Sequence, residues 1–301
     1  MATDGIAVRT RLDDDEAARA LAFVREATAA DGVSPLSEQA VAAIETADGA
    51  AVHVLSTAGY ANIIAGRPGE SAMIEAVVDP ALRRRGHGRA LLDKAFEAAA
   101  DLRSESDPAP RVWAHGDLPE AVALAAAMGL QRRRELLQLR RSLVSGPQLP
   151  DLVVDDSIVL RTYAGESDDA EILRVNNAAF DWHPEQGGWS LAQITERTSA
   201  PWFDPQGLFL AFDAAAPDTL LGFHWTKQHD AELGEVYIVG VDPAAQGRGL
   251  GRLLTLAGLH HLAEVGMREV NLYVEGDNTA ALHTYHRLGF DRYAIDVAYG
   301  N

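Results

Sequence analysis

The sequence predicts an α/β protein of two tandem domains, each a mixed central sheet with helices on both faces. Three observations predict it. A strand ending in Val-Asp-Pro, a short loop with closely spaced glycines and a helix occur twice, over 73–99 and 235–265. Strand-like and helix-like patterns alternate through each half, as a sheet covered by helices requires. Between the halves lies the run SLVSGPQLPDLVVDDS, rich in Pro, Gly, Ser and Asp. It divides the chain into a domain over 1–143, a linker over 144–157 and a domain over 158–301.

Each element has a local reason. Residues 235–241 (EVYIVGV) are mostly β-branched or aromatic and read as a buried strand. Asp242-Pro243 stops it, because proline has no N–H for the ladder. Leu250, Leu253, Leu254 and Ala257 then recur at helical spacing, giving a helix over 249–265. The same criteria give strands at 158–163, 207–213, 219–227, 269–274 and 291–298, and helices at 167–179, 190–198 and 278–288. The first half repeats the order. Val8 to Arg11 and the acidic helix start Asp13 to Glu16 match Leu160 to Tyr163 and Glu166 to Asp169. Leu91, Leu92, Ala95, Phe96 and Ala99 form the apolar face of the first loop's helix.

Gln246-Gly247-Arg248-Gly249-Leu250-Gly251 is the chemically informative loop. Glycines let a backbone approach a ligand closely, and the free N–H groups of a helix start favour phosphate. There is no G-x-x-x-x-G-K-[ST], and the spacing is not G-x-G-x-x-G, so the nucleotide and dinucleotide loops are excluded. Gln-x-x-Gly-x-Gly after a strand ending in Val-Asp-Pro resembles the acetyl-CoA loop of the GNAT (GCN5-related) N-acetyltransferases. The resemblance implies the GNAT fold, with two central strands that splay apart to admit acetyl-CoA. It also implies acetyl transfer to an amine, with acetyl-CoA as co-substrate and no metal.

Composition limits the alternatives. A hydrophobic content of 47% with 23% charged residues is that of a globular chain. There is no cysteine, so disulfides, zinc–thiolate sites and cysteine nucleophiles are excluded. A net charge of −18 argues against nucleic acid and anionic membranes as partners. No apolar run approaches the roughly 20 residues that span a bilayer, and no signal peptide is read. The expectation is a cytoplasmic enzyme, and since the tandem already mimics a dimer, a monomer.

The halves differ where chemistry is expected. Aligning Leu288-Gly289-Phe290 with Met128-Gly129-Leu130 sets Tyr285 opposite Ala125 and Asn278 opposite Leu118. The second half is therefore read as the catalyst, and the first as a copy that holds acetyl-CoA or serves structure. Acetyl transfer from a thioester needs an unprotonated amine, a polarised carbonyl and a proton for the departing thiolate. Tyr285 is the candidate acid, since a phenol near pKa 10 can protonate a thiolate near 8.5. Glu235 is the candidate base, directly or through water. Main-chain N–H groups around Val239 to Val241 are candidates to hold the carbonyl oxygen.

A narrower resemblance rests on Asp181-Trp182-His183-Pro184-Glu185-Gln186-Gly187-Gly188-Trp189, with Gly222 to Lys227, Gly234 to Pro243 and Leu272 to Glu275. These stretches are similar to tandem GNAT members whose substrate is a small thiol pseudodisaccharide. It implies substrate contacts from Glu38, Glu185, Lys227, Glu235 and Tyr273. It implies acetyl-CoA contacts from Val239, Gly240, Val241, Gln246, Gly247, Arg248, Gly249, Leu250, Gly251 and Arg252, and from Asn278, Thr279, Ala280, Ala281, Leu282 and His283. In the first half the implied contacts are Ala76, Val77, Val78, Arg84, Arg85, Gly86, His87, Gly88 and Arg89. Another amine substrate, or a silent acetyl-CoA-binding module, are the competing readings. His183, His224 and His229 fall near the expected pocket without a metal-ligand spacing.

Overall fold

A computed structural model describes residues 5–46, 51–67, 69–104, 106–181 and 186–301. The chain divides into two compact units, one of 1–136 with 295–301 and one of 137–294. In chain order the first unit's elements begin with β1 (Ala7–Arg9), α1 (Asp14–Asp31), α2 (Glu38–Glu45), β2 (Ala51–Leu55), β3 (Gly59–Ile64) and β4 (Met73–Val78). They continue with α3 (His87–Asp101), β5 (Arg111–Ala114) and α4 (Pro119–Ala127), after which the chain passes along β6 (Gln131–Ser142) into the second unit. Then come β7 (Ile158–Thr162), α5 (Asp169–Ala179), α6 (Leu191–Thr198), β8 (Leu208–Asp213), β9 (Ala216–Gln228) and β10 (Leu233–Val241). The chain closes with α7 (Leu250–Glu264), β11 (Glu269–Glu275), α8 (Thr279–Arg287) and β12 (Asp291–Gly300).

In the first unit the strand order is β1-β2-β3-β4-β5-β12. The chain's last residues belong here because Val297, Ala298 and Tyr299 pair antiparallel with Ala114, Trp113 and Val112. In the second unit the order is β6-β11-β10-β9-β8-β7. Both sheets are mixed: the parallel pairs β4 with β5 and β10 with β11 stand beside antiparallel ones.

Helices cover both faces of each sheet. In the first unit Leu91, Leu92, Ala95 and Ala99 of α3 pack with Ile63, Ile74 and Val112 on one face. Ala20, Val24 and Ala27 of α1, with Ala40 and Ile44 of α2, pack against Leu55, Tyr60 and Val77 on the other. In the second unit α7 supplies Leu256, Leu259 and Leu262 against Val236, Val270 and Leu272. Ile172 and Val175 of α5 and Ile194 of α6 bury against Leu208, Leu210, Phe223 and Ile238. The acidic start read at Asp13 is a capping box: Asp13 accepts from the Glu16 N–H at 2.8 Å and Glu16 accepts from the Asp13 N–H.

Candidate active site

The site is created by strands that stop pairing. β10 and β11 are joined in parallel at Leu233, Gly234 and Glu235, opposite Glu269, Val270 and Asn271, and at no later residue. Beyond Glu235 the two strands part, so the β11-facing backbone groups of β10 open into a gap. A bulge steepens the departure: Val236 pairs with Thr226 and Ile238 with Trp225, leaving Tyr237 extra. Tyr237 and Ile238 consequently both meet the core beneath α5 and α6. Val239, Gly240 and Val241 keep their antiparallel partners His224, Phe223 and Gly222 on the far side.

At the far end of this strand lies the glycine loop. Gly247 and Gly249 have φ of +79° and +77°, a conformation that only glycine adopts without strain. Gly249 is the N-cap of α7 and offers no side-chain acceptor, so the first amides of that helix stay available to a ligand. A Cβ placed on Gly251 would meet nothing within 4 Å. These features suit an anionic group held by main chain. Arg248 is turned aside, 3.3 Å from Asp213 and 3.4 Å from Ser157.

Glu235 lies where the strands part and is only 7% exposed. Its Oε2 is 2.8 Å from Nε2 of His229. Lys227 faces it across β9 and sets its ammonium over the rings of Trp202 and Tyr237, 5.2 and 5.5 Å from their centres. Arg197 donates to the Tyr237 hydroxyl at 3.1 Å and lies over Trp189 at 3.9 Å. This aromatic and cationic wall around Lys227 was not foreseen from the sequence.

Tyr285 stands on α8, edge-on to Phe290 at 5.8 Å, and burial pushes its hydroxyl up to about 12. Asn278 is the N-cap of α8, its Oδ1 accepting from Ala281 at 3.1 Å, and Thr279 to His283 form the helix's opening residues. Tyr273 is half exposed on β11 and accepts from Gln138 Nε2 at 3.0 Å. Glu38 opens α2 in the first unit behind the N-cap Ser37, whose Oγ accepts from Ala40. Trp182, His183, Pro184 and Glu185 lie outside the described residues. The end of that loop is fastened to α5 by Asn176 to the Gln186 carbonyl at 2.7 Å and Asn177 to the Trp189 backbone.

The remaining histidines separate. His224 is fully buried under α7 with Nδ1 2.8 Å from the Leu254 carbonyl. Burial pushes its pKa down to about 4, and it is a neutral core residue. His260 and His261 diverge, one to the Pro150 carbonyl and the other to Asp204. Among the described residues no group of three His, Asp or Glu side chains is arranged to hold a metal ion.

The first unit repeats the frame with different contents. β4 and β5 pair at Met73, Ile74 and Glu75 and then part. Between them is a cavity of about 500 Å³ bordered by Ala76, Val77, Val78, Arg84, Gly86, Gly88 and Arg89, but not by Arg85 or His87. Arg84 holds the left-handed conformation that Gly247 holds in the other loop, at φ +63°. Gly86 caps α3 without a side-chain acceptor, as Gly249 caps α7. The buried Glu75 is fully engaged: it accepts from the Ser37 N–H and Oγ, and from His115 Nε2 at 3.2 Å. His115 also reaches Asp296 at 3.3 Å.

A sheet that opens beside a buried carboxylate, ending at an uncapped glycine loop and helix, defines an acetyltransferase of the GNAT class. The Acetyltransferase (GNAT) family pattern matches residues 174–290. A GCN5-related N-acetyltransferase from Sphaerobacter thermophilus shares the fold with a TM-score of 0.73 and 23% identity, over 99% of this chain and 96% of that one. A tandem GNAT protein from the clavulanic acid biosynthesis pathway does so at 0.66 and 20%, over 98% and 97%. The mycothiol acetyltransferase of Gordonia bronchialis is 74% identical over 98% of this chain and 95% of its own. That of Nocardia farcinica is 58% identical over 96% and 95%. The chain belongs to the mycothiol acetyltransferase family, and is thus an acetyl-CoA-dependent N-acetyltransferase.

Proposed function

We propose that the second unit transfers acetyl from acetyl-CoA to the cysteinyl amine of 1D-myo-inositol 2-(L-cysteinylamino)-2-deoxy-glucopyranoside (Cys-GlcN-Ins), giving mycothiol and CoA. The observation that carries the reading is Glu235, buried at the point where β10 and β11 part. A base at that point faces an amine presented to the gap. Acetyl-CoA supplies the acetyl group as a thioester, its phosphates suited to the amides of Gly247 to Arg252 and its pantetheine arm to the open edge of Val239 to Val241.

Glu235 takes the amine's proton, and the free amine attacks the thioester carbonyl. Main-chain N–H groups of the open β10 edge bear the charge that develops on oxygen. Tyr285, neutral at any working pH with its value near 12, protonates the departing thiolate. Lys227 and Tyr273 are read as hydrogen-bonding and positioning the sugar and inositol hydroxyls, with Glu38 and Glu185 as further contacts. The first unit is read as a copy that binds acetyl-CoA without catalysing, because its Glu75 is committed to Ser37 and His115. The enzyme is read as a cytoplasmic monomer. None of the described helices is long and apolar enough to cross a membrane.

The test is CoA release by purified protein given Cys-GlcN-Ins, beside glucosaminyl-inositol lacking the cysteine. Turnover of the cysteinyl compound alone supports the assignment. Acetyl-CoA binding without turnover of either removes it and leaves the GNAT fold untouched.

A further inference from the structure

We propose that His229 is the proton exit of the catalytic base, passing to solvent the proton that Glu235 takes from the amine. The inference rests on the reading of Glu235 as that base. A carboxylate that is 7% exposed has to lose its proton before each new turnover, and a buried group needs a partner that reaches both it and water. His229 does both. Its Nε2 lies 2.8 Å from Glu235 Oε2, while 35% of its side chain is exposed.

The ring is held there by the turn that carries it. His229 follows the end of β9, and its backbone N–H donates to the Leu233 carbonyl at 2.9 Å. Asp230 closes the same turn, its Oδ1 accepting from the Glu232 and Leu233 N–H groups at 2.7 and 2.8 Å. Among the described residues, the charged and polar groups paired with or beside the two are Lys227 opposite Glu235 on β9, Asp230 beside His229, and Asn271 opposite Glu235 on β11. Lys227 directs its ammonium to Trp202 and Tyr237. Among the described residues Nδ1 of His229 has no partner, so that nitrogen remains for water.

The first unit supplies an internal contrast. Glu75 also has a histidine at hydrogen-bonding distance, but both nitrogens of His115 end on carboxylates, Glu75 and Asp296, and its side chain is 14% exposed. A proton reaching His115 stays between two carboxylates. A proton reaching His229 has a way out.

The step balances without a co-reactant. The amine N–H bond breaks as an O–H bond forms on Glu235. That proton crosses to Nε2 of the Nδ1–H tautomer of His229, the proton on Nδ1 leaves to water, and exchange of the neutral ring's proton with solvent restores the Nδ1–H tautomer, leaving Glu235 a carboxylate for the next cycle.

Two measurements test this. The first is the ring-nitrogen NMR spectrum of His229 at one pH, assigned by its loss in His229→Gln, in the wild type and in Glu235→Gln. The Nε2 resonance should move when the carboxylate that it faces is replaced, and an unmoved resonance overturns the relay. The second is turnover of Cys-GlcN-Ins. His229→Ala should lower kcat about tenfold or more with KM for acetyl-CoA unchanged, and added imidazole should restore the rate in a saturable way. His229→Gln, which keeps a hydrogen bond but cannot carry a proton, should remain slow. A Gln variant as fast as the wild type, or an Ala variant indifferent to imidazole, overturns the proposal. A wild type that fails to acetylate Cys-GlcN-Ins, with the Nε2 resonance still responding to Glu235→Gln, removes the substrate assignment while supporting the Glu235–His229 link.

Discussion

Glu75 and Glu235 share one relationship in their units: each is the last residue of its strand to pair in parallel before the sheet opens. Their surroundings divide their roles. Glu75 takes the amide and hydroxyl of Ser37 and so anchors the start of α2, with His115 on its other side. Glu235 has the exposed imidazole of His229 and stands beside Lys227. Glu235→Gln should therefore lower kcat by about 100-fold or more with little change in melting temperature. Glu75→Gln should leave kcat intact and cost about 1.5–3 kcal/mol of stability, since hydrogen bonds to a buried charge are weakened. Steady-state kinetics and thermal unfolding of both variants check this, and equal kinetic losses would refute the division.

His115 gives the first unit a pH-dependent clasp. Burial alone would lower its pKa, but hydrogen bonds to Asp296 and Glu75 outweigh that and raise it to about 9. Because the folded value lies above the ordinary 6.5, the stabilisation is fully present below about pH 6.5 and is lost as pH rises through about 9. Its size is on the order of 3 kcal/mol. His115→Gln should be less stable than wild type at pH 6 and should converge with it above pH 9. Denaturant unfolding across that range reads the difference, and a gap independent of pH would exclude the charged clasp.

Tyr285 keeps its ring against Phe290 whether or not it has a hydroxyl. Tyr285→Phe should leave melting temperature and acetyl-CoA affinity nearly unchanged while lowering kcat by about 100-fold, the range of a lost general acid. An unaltered kcat would take the acid role from Tyr285.

How far the sequence was legible depended on how local each feature is. The strand read at 235–241 is Leu233–Val241 and the helix read at 249–265 is Leu250–Glu264, because β-branched runs and leucine spacing are local signals. The loops were readable for the same reason. The splay was not, because it depends on which residues cease to pair. Aligned from Asp79-Pro80 and Asp242-Pro243, Glu75 falls opposite Ile238. The antiparallel register agrees, with Glu75 opposite Asn62 and Ile238 opposite Trp225, and only the extent of parallel pairing sets Glu75 beside Glu235. The placement of 295–301 in the first unit rests on long-range pairing with β5, which no local pattern encodes. His229 was passed over as one histidine among several. Its one signal was positional: Lys227 and Glu235 flank a short turn, so a side chain within that turn lies close to both.

The glycine loop separates two reasons for glycine. Gly247 and Gly249 sit at positive φ with open space around them, so alanine there costs about 1 kcal/mol of backbone strain and disturbs the free protein. Gly251 is different: its φ is ordinary for a helix and a methyl would touch nothing within 4 Å. Gly251→Ala should fold as well as the wild type or slightly better, since alanine is favoured over glycine in a helix by up to about 1 kcal/mol. If acetyl-CoA phosphates lie on these amides, the added methyl meets the ligand alone, and the dissociation constant should rise about tenfold at unchanged or higher melting temperature. Calorimetric titration of acetyl-CoA beside thermal unfolding distinguishes the cases. An unchanged affinity would mean that the ligand does not come close to Gly251, and the anion cradle would then have to be drawn from Gly247 and Gly249.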